Sequence, residues 1–311
     1  MAITAGMVKE LREMTGAGMM DCKKALAETN ANMEEAVEYL RKNGQAKAEK
    51  KASRIAAEGL VKVMLDGDTK AAIVEVNSET DFVAKNDEFQ SFVASVAEQA
   101  IKSESANIDD FLAEAWVADS SKTVNEALTD KIATIGEKLS IRRFEKVIAD
   151  NGCVVSYIHG GGRIGVIVNA NTSVVNDDVK AALTNVAMQI AALTPKYVST
   201  DEVSEEYKEH EKEILMAQIA QDPAMASKTE KVIEGIVIGR LNKELKEVCL
   251  LEQAYVKAED GKQTVKAYLQ QVSKGVGTDI SIANFIRFET GEGIEKKQEN
   301  FAEEVAAQMG N

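Results

Sequence analysis

The sequence predicts an α+β fold built in several parts, and three observations point there. Apolar residues recur at helical spacing through residues 4–43, with glycines and a polar cap between the stretches. A hairpin signal followed by an amphipathic helical stripe occurs twice further along the chain. Two long, mostly polar helical stretches then follow Pro195 and are split by Pro223, the only prolines in the chain.

The first part reads as three short helices. Ile3, Met7, Leu11 and Met14 share one face, and Gly16-Ala17-Gly18 stops that helix. The second begins near Met19 and carries Cys22 and Leu26. Asn32 is an N-cap with Glu35 three positions on, as in a capping box, and Met33, Ala36, Val37 and Leu40 form the face of a third helix that Gly44 is expected to end. Residues 45–54, rich in Lys and Ala, read as a helical or flexible linker.

The core comes next. Segments 59–65 and 70–77, joined by Asp66-Gly67-Asp68-Thr69, form a hairpin. A helix over 87–102 turns Phe89, Phe92, Val93 and Val96 to one side, and another near 123–138 carries Val124, Leu128, Ile132, Ile135 and Leu139. Segments 153–158 and 163–170 make a second hairpin around His159–Gly162, followed by a helix over 177–193. Hairpin then helix, twice, suggests two related α+β subdomains with antiparallel sheets.

Residues 202–221 and 226–247 read as a protruding antiparallel helical hairpin, the first helix with a stripe of Val203, Tyr207, His210 and Ile214, the second with Val232, Ile233, Ile236, Val237, Leu241 and Leu245. A strand near 253–257, a helix near 264–274, a strand near 282–289 and a final helix near 298–309 complete the chain. The expected parts are 1–55, 56–150, 151–195 with 248–290, 196–247, and a C-terminal module at 291–311.

Composition narrows the function. With 37 Lys and Arg against 51 Asp and Glu, the net charge is -14, unsuited to binding phosphate backbones or anionic membranes. Protein partners fit better. Cys22, Cys153 and Cys249 are far apart and contain no CxxC pair, which predicts a reducing, cytoplasmic setting and no disulfide framework. Neither a signal peptide nor an apolar run of about 18 residues is evident. No grouping has metal-ligand spacing, and no cofactor is expected.

Gly160–Gly165 matches GxGxxG, but a strand follows where a dinucleotide site needs a helix, so a tight turn is the better reading. His159-Gly160-Gly161-Gly162 matches the oxyanion element of esterases, yet the chain has no GxSxG elbow and only two histidines. The acidic run Glu202, Glu205, Glu206 and Glu209 reads as a solvated helix face, and His210 as a seam residue. The loop Asn77–Asn86 sets a carboxylate beside an aromatic ring. Composition alone favours Phe82 tucked into its own core and Asp81 capping the next helix, although loops at strand ends commonly carry binding residues.

Three stretches resemble the elongation factor Ts family: Thr15 through Leu26, Thr80-Asp81-Phe82-Val83-Ala84-Lys85-Asn86, and His159-Gly160 through Arg163-Ile164-Gly165-Val166. Ile135-Gly136-Glu137, Ile141-Arg142-Arg143, Arg287-Phe288-Glu289 and Gly291-Glu292-Gly293-Ile294 support the match, which runs from the first helix to the last. The glycine loop is one residue longer than the family's HGARIG form.

The resemblance implies a UBA-like three-helix N-terminal domain, a two-part α+β core, a helical-hairpin dimerisation domain and a C-terminal helix. It also implies a guanine-nucleotide exchange factor that binds elongation factor Tu, disturbs its Mg²⁺ and phosphate site, and makes or breaks no covalent bond. It carries partner-contact roles to Met19, Met20 and Lys23, to Thr80, Asp81, Phe82 and Val83, to Ile135 and Gly136, and to His159. The alternative from another class is an acidic helical adaptor without exchange activity. A hydrolase acting through the His-Gly-Gly-Gly element is a distant third.

Overall fold

Residues 3–222 and 228–295 are described by a computed structural model. Helix α1 (Ala5–Thr15) starts at Thr4, whose hydroxyl accepts the Met7 N–H, and stops at Gly16 with φ of +68°. Helix α2 (Met19–Glu28) and helix α3 (Met33–Lys51) follow. Asn32 caps α3 by accepting the Glu35 N–H, while its own amide donates to the Glu35 carboxylate. Val8, Leu11, Cys22, Ala25, Leu26 and Ala36 form the small core of the three helices.

Gly44 does not end the third helix, contrary to the sequence reading, and α3 runs on to Lys51, so most of the linker is helix. Gly44 is buried where α3 crosses helix α7 (Val124–Ile135), and a Cβ there would lie 3.4 Å from that of Ala133. The glycine serves close helix approach, and its side-chain-free surface is the reason it mimics a stop signal. Arg41 to Glu126 at 2.6 Å adds an ionic tie across the same seam.

Strands β1 (Glu58–Asp66) and β2 (Lys70–Ser78) pair in the expected hairpin. After the single turn α4 (Asp81–Ala84), helix α5 (Asp87–Lys102) lays Phe89, Phe92, Val93 and Val96 on the sheet. Helix α6 (Ile108–Ala113) and a short hairpin of β3 (Ala115–Trp116) and β4 (Asp119–Thr123) lead into α7, which opens on a capping box of Thr123 and Glu126. Strand β5 (Ser140–Ile148) completes the sheet in the order β1-β2-β5. Sequence periodicity missed it, because two consecutive arginines and a bulge opposite Glu75/Val76 break the alternation that marks a strand.

The second unit repeats the theme. Strands β6 (Gly152–His159), β7 (Ile164–Asn171) and β8 (Ser281–Glu289) form an antiparallel sheet in that order, covered by helices α8 (Asp177–Leu193) and α11 (Val265–Val276). The two sheets pack face to face through Val61, Ile73, Val147, Val154, Ile167 and Phe288. Central strand β2 is therefore buried on both faces, by α5 on one side and the second sheet on the other, and almost every residue in it is buried.

Between α8 and α11, helices α9 (Glu205–Ala220) and α10 (Glu230–Val248) form the antiparallel pair. The inward stripe of the first is Val203, Tyr207, Leu215 and Ile219, so His210 and Ile214 face solvent instead of the seam. Val237, Leu241 and Leu245 meet them from α10, whereas Val232 is exposed. The Tyr207 hydroxyl donates to Glu244, and burial together with that carboxylate pushes the phenol up to about 12.

No strand forms at 253–257, where a lone bridge joins Ala254 and Thr264. Side chains take the place of a neighbouring strand. Buried Gln189 donates to Gln253 Oε1 and the Ala254 carbonyl and accepts the Val256 N–H. The expected final helix near 298–309, the end of the C-terminal module and Pro223 lie outside the described residues.

Candidate functional site

The loop that leaves β2 carries the most exposed aromatic ring among the described residues. Phe82 is 81% exposed on α4, while Ala84 on the opposite side of the turn is buried. The expectation from composition, a ring tucked into its own core, is thus overturned. The local sequence explains it: Thr80 and Asn86 each cap a helix start, so α4 is one turn long and has only one face to bury. Asp81 is not the cap. It pairs with Lys85 at 2.6 Å, and this hydrogen-bonded ammonium holds the exposed carboxyl below its usual range. Val83 is half-buried against the first core.

The turn is fastened to the residues just past α7. Gly136, with φ of +87°, caps α7 and turns the chain so that Glu137 points back at the loop. One Glu137 oxygen accepts the N–H groups of Glu79 and Thr80 at 3.1 and 3.0 Å, and the other accepts the Thr80 hydroxyl at 2.7 Å. That hydroxyl in turn accepts the Val83 N–H, so it caps α4 while being held itself. Ile135 lies half-buried under the same junction.

Met19 and Met20 open α2 and are 59% and 74% exposed, with Lys23 exposed one turn on. Adjacent positions on a helix point about 100° apart, so the pair cannot both enter the small core beneath. The preceding loop lies against the last turn of α7, since a Cβ on Gly16 would sit 3.8 Å from the Thr134 hydroxyl. The loop before α2 and the α4 turn thus both reach the end of α7.

His159 occupies a different corner. It ends β6, before a turn in which Gly160, Gly161 and Gly162 all take positive φ, and the Tyr157 hydroxyl stands 3.0 Å from its Nδ1. That turn rests on β1, where the Gly162 carbonyl accepts the Val61 N–H at 2.7 Å and a Cβ on Gly162 would lie 2.7 Å from Leu60 Cδ2. A strand follows the glycines, so the loop lacks the helix N-terminus that phosphate binding requires.

Glu79 and Glu137 are the residues that sequence reasoning quoted within motifs but gave no role. The available signal was the Gly136-Glu137 step, a helix stop followed at once by a carboxylate.

Apolar side chains standing out of a braced surface are the hallmark of a protein-docking factor. A family model described as Elongation factor TS matches residues 79–292. The chain is 53% identical over 308 residues to Elongation factor Ts of Clostridioides difficile (strain 630), covering 99% of each chain. It is 50% identical over 308 residues to the Clostridium novyi (strain NT) protein of that name, again over 99% of both. For the Clostridium perfringens (strain 13 / Type A) protein the identity is 52% over 309 residues at the same coverage. The chain belongs to the elongation factor Ts family, the nucleotide-exchange factors of translation elongation.

Proposed function

We propose that this chain docks on elongation factor Tu with Met19, Met20 and Lys23 of α2, the Thr80–Val83 turn, Ile135-Gly136 and His159, and that Phe82 is the wedge that loosens GDP. The observation that carries this reading is the 81% exposure of an aromatic ring on a capped turn. A ring driven into a packed seam of the partner shifts a bistable element, and the Mg²⁺ and phosphate site loses its geometry. Asp81 supplies a hydrogen-bonding carboxylate beside the ring once it leaves Lys85. Nucleotide affinity then falls by the factor by which nucleotide weakens the complex, with no covalent step. The three cysteines, all buried and unpaired, support a cytoplasmic setting.

Burying one Phe is worth about 1.5–3 kcal/mol. If that is realised only in the nucleotide-free complex, Phe82→Ala slows GDP release about 10- to 150-fold. The melting temperature stays put because the ring has little contact with its own core. Release of a fluorescent GDP beside a thermal melt tests this; normal release with a lowered melting point would make Phe82 an ordinary structural residue.

A further inference from the structure

A single helical turn does not hold itself together in water, because nucleating a helix costs more than its first hydrogen bonds return. Yet α4, four residues long, carries the ring on which the proposed wedge depends. What fixes it comes from elsewhere in the chain. Glu137 receives three hydrogen bonds from Glu79 and Thr80, including the hydroxyl that caps α4. Glu79 answers in the opposite direction: its carboxylate accepts the Lys138 N–H at 2.5 Å and pairs with Arg54 at 3.3 Å. Lys138 extends the tie by donating its ammonium to the carbonyls of Ala52 and Arg54, just past the end of α3. The Phe82 turn, the end of α7 and the exit of the N-terminal helices are thus knotted by two carboxylates.

We propose that Glu137, seconded by Glu79, is a positioning residue for nucleotide exchange: it fixes the α4 turn so that Phe82 is presented outward in one orientation. The inference rests on the wedge reading of Phe82. The physical basis is charge and geometry. A carboxylate accepting two backbone N–H groups and a hydroxyl makes strong, directional bonds to the residue that starts the turn. Side chains at this position without such acceptors leave Thr80 free to rotate, and with it the cap on Val83. Phe82 itself stays solvent-exposed, so the loss is one of orientation and not of fold.

Hydrogen exchange and a double-mutant cycle test this together. Glu137→Ala is expected to raise amide exchange across residues 79–84 in the free protein, with the rest of the sheet unchanged, and to slow GDP release about tenfold or more; misplacing a positioned group by about 1 Å can cost on the order of a hundredfold. Glu137→Gln, which keeps one acceptor, is expected to fall between that variant and the natural protein. In the Phe82→Ala background, Glu137→Ala should add no further slowing, because its effect passes through the ring. Unchanged exchange at 79–84 in both variants would overturn the brace. Equal slowing with and without the ring would overturn the positioning role, giving Glu137 a separate effect on the partner. Normal release by Phe82→Ala alone would instead remove the wedge reading on which the proposal stands, while amide exchange would still report the brace.

Discussion

Met20 is 74% exposed and Met19 59%, and neither belongs to the core of the three N-terminal helices. Flexible, polarizable thioethers suit a surface that must adapt to a partner. Met20→Asp is expected to weaken binding to elongation factor Tu by about tenfold or more, the loss of roughly 1.4 kcal/mol or more. Its melting point should match the natural protein, and calorimetric titration beside a thermal melt checks both. A large fall in melting temperature with unchanged affinity would make the side chain structural. This patch was legible in sequence because two adjacent methionines on a helix cannot both face inward. Phe82 was not legible from composition, which makes loop aromatics anchors by default; only the family resemblance set it at the surface. The missing signal is that Thr80 and Asn86 both cap helices, leaving α4 one turn with Ala84 as its buried side chain. The roles of Glu79 and Glu137 were hidden for another reason: their partners are backbone groups more than fifty positions away in sequence, at separations of 57, 58 and 59 residues.

At the scale of elements, amphipathic helices were read most accurately. The expected spans 87–102 and 177–193 coincide with α5 and α8, because each packs one continuous apolar face on a sheet. Elements failed to show where tertiary context supplied the partner: the arginines of β5, the side-chain amide of Gln189 standing in for a strand, and the helix-crossing Gly44. The α9–α10 pair was visible in outline but not in its seam, since Leu215 and Ile219 replace His210 and Ile214. That pair leaves Ile214, Met216, Val232 and Ile238 exposed at 37%, 53%, 46% and 50%. These apolar side chains have no cover within the pair, and we propose that the hairpin serves self-association. The ends of the excursion are hydrogen-bonded to each other, Tyr197 N–H to the Val248 carbonyl and Leu250 N–H to the Tyr197 carbonyl. Replacing residues 199–247 by a short Gly-Ser loop should therefore leave a folded core with near-native circular dichroism per residue, and light scattering should show a smaller assembly than the parent chain. A monomer before and after the deletion rules the role out.

At the scale of the whole molecule, a buried carboxylate joins the apolar contacts where the two sheets meet. Glu75 on β2 is fully buried, and it accepts from Arg142 at 3.0 Å, Arg143 at 2.6 Å, Asn77 at 3.0 Å and the Gly291 N–H at 2.7 Å. Arg142 reaches on to the Glu292 carbonyl beyond β8 and Arg143 to the carbonyl of Glu289 at its end, and Arg143 also lies 4.1 Å over the Phe288 ring. Arg287 pairs with Glu289 at 2.7 Å and lies 3.9 Å from Glu292, which Arg143 also reaches at 3.1 Å. The supporting motifs around Arg142, Arg287 and Gly291 are thus parts of one network that joins the sheets. It is a structural centre, and it fixes the platform from which the Phe82 turn at the end of β2 projects. Burial pushes the Glu75 carboxyl up, but the Gly291 N–H, the Asn77 amide and the Arg143 guanidinium outweigh it and hold it below the ordinary glutamate range. A depressed folded value means that the ionised form favours folding. The stabilisation is fully present above the unfolded value of about 4.3 and is lost as pH falls through that value toward the folded one. Glu75→Gln removes the charge and leaves two arginines facing each other. The arginine side chains are 29% and 31% exposed. That water contact puts the expected loss near the low end of the roughly 3–5 kcal/mol typical of a broken buried pair. Denaturant midpoints for both proteins should differ most near pH 7, and the gap should narrow steadily as pH falls below the unfolded value of about 4.3 toward the depressed folded one. A difference that holds constant down to pH 3 would mean that shape and packing at this position, not its charge, join the two sheets.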